Sequence, residues 1–260
     1  MQKILILSDG GKAATVFEKF MNENGFSANC EKYEVLSDID RKAGYDAAVC
    51  FGNNAKNVEK AVEFAENAEI GRLVYVGSVL TYFDRKYPER NLKKHALVAD
   101  YSECEKTAFS AITEKLDVSV AEMPPMSDEI PDGILSVDGV PAIEFKKFVL
   151  TFDGGFVRIS DENYAAGIAS VLVNGRCGVS YPVCDGIVKY KDALKEKKGE
   201  SKKIYEYPEE LWWILAVGAS RKLKKEGKKP SFDVKTLYKE NLFENFFFDP
   251  VEVKRQLGYE

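Results

Sequence analysis

The alternation of short apolar runs with amphipathic stretches, repeated from Ile4 to Val120, constrains this chain more than any other feature. Ile4-Leu5-Ile6-Leu7 is apolar at every position and stops at Ser8-Asp9-Gly10-Gly11. A helical pattern follows from Ala13 to Asn24, with Val16, Phe17, Phe20 and Met21 at three- and four-residue spacing and Gly25 closing it. The cycle then recurs. Cys30 to Val35, Tyr45 to Phe51 and Arg72 to Ser78 read as further strands, and Val118-Ser119-Val120 as another. Asn57 to Ala68, with Val58, Ala61, Val62 and Ala65 on one face, and Tyr101 to Leu116 read as the helices between them. Fully apolar runs are strands buried on both faces, and intervening helices are the crossovers of a parallel sheet. The expected class is α/β with a doubly wound parallel sheet.

A strand, a glycine turn and a helix in that order open a Rossmann-type unit. The alternation stops near Met123-Pro124-Pro125. Residues 1–123 are therefore expected to form a Rossmann-like dinucleotide-binding part. Residues 124–260 are expected to form a smaller, mixed α/β substrate lobe and C-terminal segment, packed with the first part as one compact unit. In that second part, apolar runs from Phe145 to Phe152 and Gly154 to Ile159 precede a helix over Asp161 to Val173. An aromatic-rich helix is expected from Leu211 to Lys225, its rings serving as packing.

Charge and cysteine usage exclude several classes. A net charge of -5 argues against non-specific nucleic-acid binding. The basic stretch Lys195 to Lys203 is interrupted by Glu196 and Glu200 and reads as a solvated face. No apolar run approaches the roughly 18 residues that cross a bilayer, and Met1-Gln2-Lys3 leads straight into a strand. The five cysteines are scattered and read as reduced thiols, and the one histidine, His95, lies beside Lys93 and Lys94 as a surface residue. No metal cluster is expected, and the compartment is expected to be reducing and cytoplasmic.

Several segments in order resemble one family. Tyr45 to Gly52 resembles an Asp-led fourth strand with a small-residue end. In Arg72 to Tyr82, Ser78 lies four residues before Tyr82, as a hydroxyl does at that family's fifth strand. Gly155 to Asp161 resembles its entry to a substrate-lobe helix. Phe248-Asp249-Pro250 with Gln256-Leu257-Gly258-Tyr259 resembles its C-terminal signature. Nearly end to end, the sequence is similar to the extended short-chain dehydrogenase/reductase family, the NAD-dependent epimerase/dehydratase group. The resemblance implies NAD or NADP bound across the strand ends, with Ser8, Gly10, Gly11, Lys12 and Gly52 around it. It also implies redox or epimerase-like chemistry on a hydroxyl or carbonyl of a small or sugar-like substrate. Ser78 would hold the substrate oxygen, Tyr101 would exchange the proton, and Lys106 would support Tyr101 and the cofactor ribose. A homodimer through the helices Asn57 to Ala68 and Tyr101 to Leu116 is implied as well.

The chain also departs from that pattern. The family's tyrosine and lysine are four apart, which puts the ammonium beneath the phenol on one helix face. Here Tyr101 and Lys106 are five apart, about 140° around the axis. Ser102 holds the tyrosine's register, and the pattern puts Ser102 and Lys106 opposite a face marked by Cys104, Ala108, Ile112 and Leu116. The three phosphate-loop glycines align with Ser8, Gly11 and Ala14, and Asp9 brings a carboxylate to an anion site that Lys12 offsets. Glu31 and Glu34 are both candidates for the adenosine ribose. Met123-Pro124 stands where the family has Arg-Pro, which leaves Arg158 and Arg176 as the mid-chain arginines. Two functions follow: an NAD(P)-dependent enzyme, or a catalytically inactive descendant kept as a binding or scaffolding protein.

Overall fold

The computed structural model describes residues 3–94, 96–124, 136–137, 140–208 and 248–258, with positions 211, 214, 217–218, 221 and 224–227. In chain order come β1 (Lys3–Leu7), α1 (Lys12–Glu23), β2 (Ser27–Glu31), β3 (Ala47–Phe51), α2 (Ala55–Asn67) and β4 (Arg72–Ser78). A short helix, α3 (Val79–Lys86), leads to α4 (Ala96–Ser110) and β5 (Asp117–Met123). Beyond residue 123, β6 (Ser136–Val137) pairs with β7 (Val140–Pro141). Next come β8 (Ile143–Glu144), β9 (Phe148–Phe152), β10 (Gly155–Arg158), α5 (Asp161–Asn174) and β11 (Ser180–Pro182). β12 (Gly186–Lys189), α6 (Tyr190–Lys198), β13 (Lys203–Tyr207) and a helix over Val251–Leu257 follow.

Six strands form one parallel sheet in the order β11-β5-β4-β3-β1-β2. Because strand side chains alternate between faces, apolar residues at every position feed two cores. Ile4, Ile6, Val49, Val74 and Val76 join Phe17 and Met21 of α1 and Ile168 and Val171 of α5 on one face. Leu5, Leu7, Cys50, Leu73, Tyr75 and Val120 join Val58 and Ala61 of α2 and Cys104 and Ala108 of α4 on the other. The expected doubly wound sheet is thus the observed one. Its last strand, β11, and its covering helix α5 come from beyond residue 123, while β8, β9 and β13 build a separate small sheet.

Two element boundaries differ from expectation. The second strand is Ser27–Glu31, and Tyr33–Asp38 turns as a 3-10 helix. Tyr33 is 3 % exposed and its hydroxyl donates to the Phe51 carbonyl at 2.8 Å, so the segment must tuck under the sheet instead of extending. The helix expected over Tyr101 to Leu116 runs from Ala96 to Ser110. Residues after it fold back, with Thr113 N donating to the Leu116 carbonyl and Leu116 N to Thr113 Oγ1, which aims the chain into β5. The readings made for His95, for the rings of the Leu211 to Lys225 stretch (Trp212 and Trp213) and for Tyr259 fall outside the described residues.

Candidate functional site

Chain order places β2 and β3 on opposite sides of β1, so the loops after β1 and β3 diverge at the C-terminal edge of the sheet. In open α/β sheets such a switch point leaves the crevice where ligands bind. The first loop is Ser8 to Gly11. Ser8 is buried, and its Oγ accepts from the Gly10 N–H at 3.2 Å, which tightens the turn. Gly10 (φ 102°) and Gly11 (φ 132°) occupy backbone conformations that side chains resist, and a Cβ at either would meet nothing within 4 Å. The glycines are thus required by conformation, and the space beyond them is open. Gly11 is the N-cap of α1 without a side-chain cap, and the first helical turn carries no carboxylate. That polarity suits an anion. Ala14, where the family has its third glycine, is 2 % exposed within the core, so the helix packs closely with a methyl in place.

The two charged residues of the loop are engaged sideways. Asp9 Oδ2 accepts from Asn57 Nδ2 of α2 at 2.7 Å, tying together the two loops that flank the crevice. Lys12 Nζ lies 2.6 Å from Asp161 Oδ2, joining the starts of α1 and α5. On the β3 side, Gly52 has φ 128° and its carbonyl accepts from the Tyr75 hydroxyl at 2.9 Å. Burial raises the pKa of both Tyr33 and Tyr75, which keeps both phenols protonated as donors to this strand end. Glu31 closes β2 and Glu34 is exposed on the 3-10 helix. Beside them an open groove of about 470 Å³ is lined by Glu31, Val35, Asp38, Ile39, Asp40 and Tyr45, with Ala43.

Ser78, Tyr101 and Lys106 occupy three different settings. Ser78 ends β4 and caps α3, its Oγ accepting from the Leu80 N–H at 3.3 Å. Tyr101 is half-buried and packs against the layer that holds Tyr75 and Cys104. Lys106 Nζ reaches Glu103 at 3.3 Å, with its side chain 69 % exposed. Ser102, expected opposite the buried face, is itself buried, and Ile112, expected on that face, is exposed. Glu105, one residue from Lys106, is drawn inward by Arg85 and Ser180 and widens the buried face of α4 from Cys104 and Ala108 to Val98, Ser102 and Glu105, while Ile112 lies past the helix end at Ser110. Above α3, Val79, Phe83, Val98, Val157, Cys184 and Phe248 form an apolar cluster, with the Tyr82 and Phe248 rings 5.1 Å apart. Arg158 is exposed and pairs with Glu196 at 2.7 Å.

Sequence reasoning missed Asn57, Tyr33 and Tyr75, and it missed a polar cluster in which the buried Thr81, Glu105 and Glu122 meet Ser180 and the more exposed Arg85. Only the i,i+4 spacing of Thr81 and Arg85 on α3 offered a signal for the cluster. Among the described residues, no group of three or more His, Cys, Asp or Glu side chains could hold a metal, all five cysteines are free thiols, and no helix is long and apolar enough to cross a membrane.

No family model matches the sequence, and no curated protein matches it significantly. Solved structures do match the fold. A nucleoside-diphosphate-sugar epimerase from Pseudomonas aeruginosa superposes with a TM-score of 0.66 at 14 % identity, covering 100 % of this chain and 92 % of that one. The NADPH-dependent quinone oxidoreductase of Escherichia coli, solved with NADPH, gives a TM-score of 0.62 at 15 % identity over 98 % and 95 %. A triphenylmethane reductase from Citrobacter sp., solved with NADP(H), gives 0.61 at 11 % over 98 % and 95 %. With its switch point between β1 and β3, its glycine turn and these likenesses in architecture, the chain has the Rossmann-type α/β fold of these epimerase and reductase structures.

Proposed function

We propose that this chain binds NAD or NADP at the β1–β3 switch point and acts with it as an oxidoreductase or epimerase-like protein on a small substrate. The observation that carries the reading is the Ser8–Gly11 turn: two positive-φ glycines with open space beyond them, leading into a helix whose first turn carries no acidic residue. Ser8, Gly10, Gly11 and Lys12 would hold the pyrophosphate and Gly52 would border the nicotinamide side. The bound group would supply a hydride donor or acceptor. Structures of the same fold that were solved with NADPH or NADP(H) support this reading.

On the substrate side, Ser78 presents a hydroxyl at the strand end. For chemistry on a hydroxyl or carbonyl, Tyr101 is the candidate proton carrier and Lys106 its support. The placement of Tyr101 against Tyr75 and Cys104, with Lys106 paired to Glu103 in solvent, favours a second reading. In that reading the chain is a catalytically inactive Rossmann-fold descendant that serves as a binding or scaffolding protein. A thermal-shift screen against oxidised and reduced NAD and NADP, followed by turnover assays with quinones, dyes, carbonyl compounds and nucleotide sugars, separates the two. A ligand that binds only the native state raises the melting temperature. A shift with turnover supports the enzyme, a shift without turnover supports the binding protein, and no shift with any dinucleotide refutes the enzyme.

A further inference from the structure

At the C-terminal end of β5 lies a polar cluster that the dinucleotide site does not use. Glu122 is 0 % exposed and stands opposite Gly77 of β4, which has no side chain to crowd it. Arg85 of α3 bridges two carboxylates. Its Nη1 donates to the Glu105 oxygens at 2.8 and 3.0 Å, and its Nη2 to the Glu122 oxygens at 2.8 and 2.7 Å. Ser180 of β11 donates to Glu105 Oε1 at 2.6 Å. Asp84, buried on the same helix as Arg85, is turned instead to Lys93 at 2.9 Å. Among the described residues, Arg85 is therefore the cation that Glu105 and Glu122 share. Thr81 completes the group, its Oγ1 lying 2.5 Å from Glu122 Oε1 and 2.7 Å from the Ser78 carbonyl oxygen.

Counting protons at Thr81 decides the state of the cluster. A hydroxyl has one hydrogen to donate, and a backbone carbonyl has none. With Glu122 ionised, both neighbours of Thr81 are acceptors, and one of the two short contacts sets lone pair against lone pair. A proton on Glu122 Oε1 satisfies both: the acid donates to Thr81, and Thr81 donates to the Ser78 carbonyl. The charge count agrees. Two buried carboxylates around one guanidinium leave an excess negative charge in a low dielectric, whereas one acid and one carboxylate leave none.

We propose that Glu122 is a neutral carboxylic acid in the folded protein and that its proton latches the first turn of α3 to the end of β4 at Ser78. Burial, opposed by Arg85 and reinforced by Glu105, pushes the Glu122 carboxyl up to about 7. Release of the latch therefore falls near neutral pH. As pH rises the proton passes to bulk water, Thr81 turns its single hydrogen to one acceptor, and the Ser78 carbonyl competes with a carboxylate for it. The strand end that carries the candidate substrate hydroxyl thus loosens with alkalinity.

Infrared difference spectroscopy of the full chain tests the proton directly. Wild type at about pH 6 is expected to show a protonated-carboxyl stretch that disappears by about pH 8, is absent from Glu122→Gln and is lost at lower pH in Glu105→Gln, where the repulsion that holds the proton on Glu122 is removed. No such band, or one lost in Glu105→Gln and kept in Glu122→Gln, overturns the assignment. Amide hydrogen exchange over residues 79–86, corrected for intrinsic rates, tests the latch. It is expected to accelerate about fivefold or more over that pH range in wild type and to stay flat in Glu122→Gln. Equal pH dependence in the two proteins refutes it. Should Glu122→Gln not fold, carbon-13 NMR of glutamate-labelled wild type decides: one side-chain carboxyl titrating near pH 7 supports the proposal, and all titrating below about 5.5 overturns it.

Discussion

Replacing Glu122 with glutamine isolates the energetic consequence of a buried acid at the strand end. Folding moves this carboxyl from its ordinary 4.5 to about 7, chiefly because burial disfavours the charged form. The native state then holds the proton more tightly than the unfolded chain by about 3 kcal/mol. The sign follows from proton counting. Between pH 4.5 and about 7 the native state binds more protons than the unfolded state, so stability falls as pH rises through that window and levels off above it. Below the window the contribution is fully present. Glutamine keeps the shape, can donate to Thr81 and accept from Arg85, and does not titrate. Urea denaturation of both proteins at constant ionic strength, followed by far-ultraviolet circular dichroism, gives the comparison. The stability difference, wild type minus variant, is expected to shrink or reverse by about 3 kcal/mol between about pH 5 and about pH 8. Other titrating groups largely cancel in that difference. Parallel curves across the range refute the reasoning.

Three further expectations follow from residues around the crevice. Ser78→Ala removes the side-chain cap of α3 and is expected to cost about 1 kcal/mol in denaturant unfolding, with dinucleotide affinity unchanged; an unchanged midpoint contradicts the capping role. Asp9→Asn removes a negative charge beside the start of α1 while keeping an acceptor for Asn57, and is expected to tighten dinucleotide binding by about two- to fivefold in calorimetric titration. Tight wild-type binding that the substitution leaves unimproved argues that Asp9 does not oppose the anion. Lys106→Ala is expected to change stability by less than about 1 kcal/mol, because its ion pair with Glu103 is exposed, and to leave dinucleotide affinity within about twofold; a collapse of binding places Lys106 on the cofactor.

The sheet was legible because burial on both faces writes itself into consecutive positions. Ile4 to Leu7, Ala47 to Phe51 and Leu73 to Val76, the cores of three expected strands, needed no pattern finer than an unbroken apolar run. The glycine turn was legible for a similar reason, since Gly10 and Gly11 adopt positive φ and glycine is the residue that does so freely. The ends of α4 were not. Leu116 extends the helical spacing of Ala108, yet it reaches the core from a turn pinned by Thr113. The facing of α4 was hidden because a polar residue, Glu105, sits on its buried side, and hydrophobic periodicity has no means of marking such a position. Glu105, Glu122, Arg85 and Ser180 come from four elements and meet only when the sheet assembles, so no local spacing announces them. The candidate hydroxyl, tyrosine and lysine each have a different setting: Ser78 a local helix cap, Tyr101 an apolar layer and Lys106 a surface ion pair three residues away.

Isothermal titration of the full chain with NADH and NADPH, beside Gly11→Ala as the control, tests the dinucleotide site most directly. Gly11 sits at φ 132°, where a side chain is strained and would project into the open space before α1. The result expected is saturable binding of at least one dinucleotide at one site per chain, weakened severalfold in the variant. Folded wild-type protein that takes up neither, or a variant that binds as tightly as wild type, contradicts a dinucleotide at the β1–α1 turn.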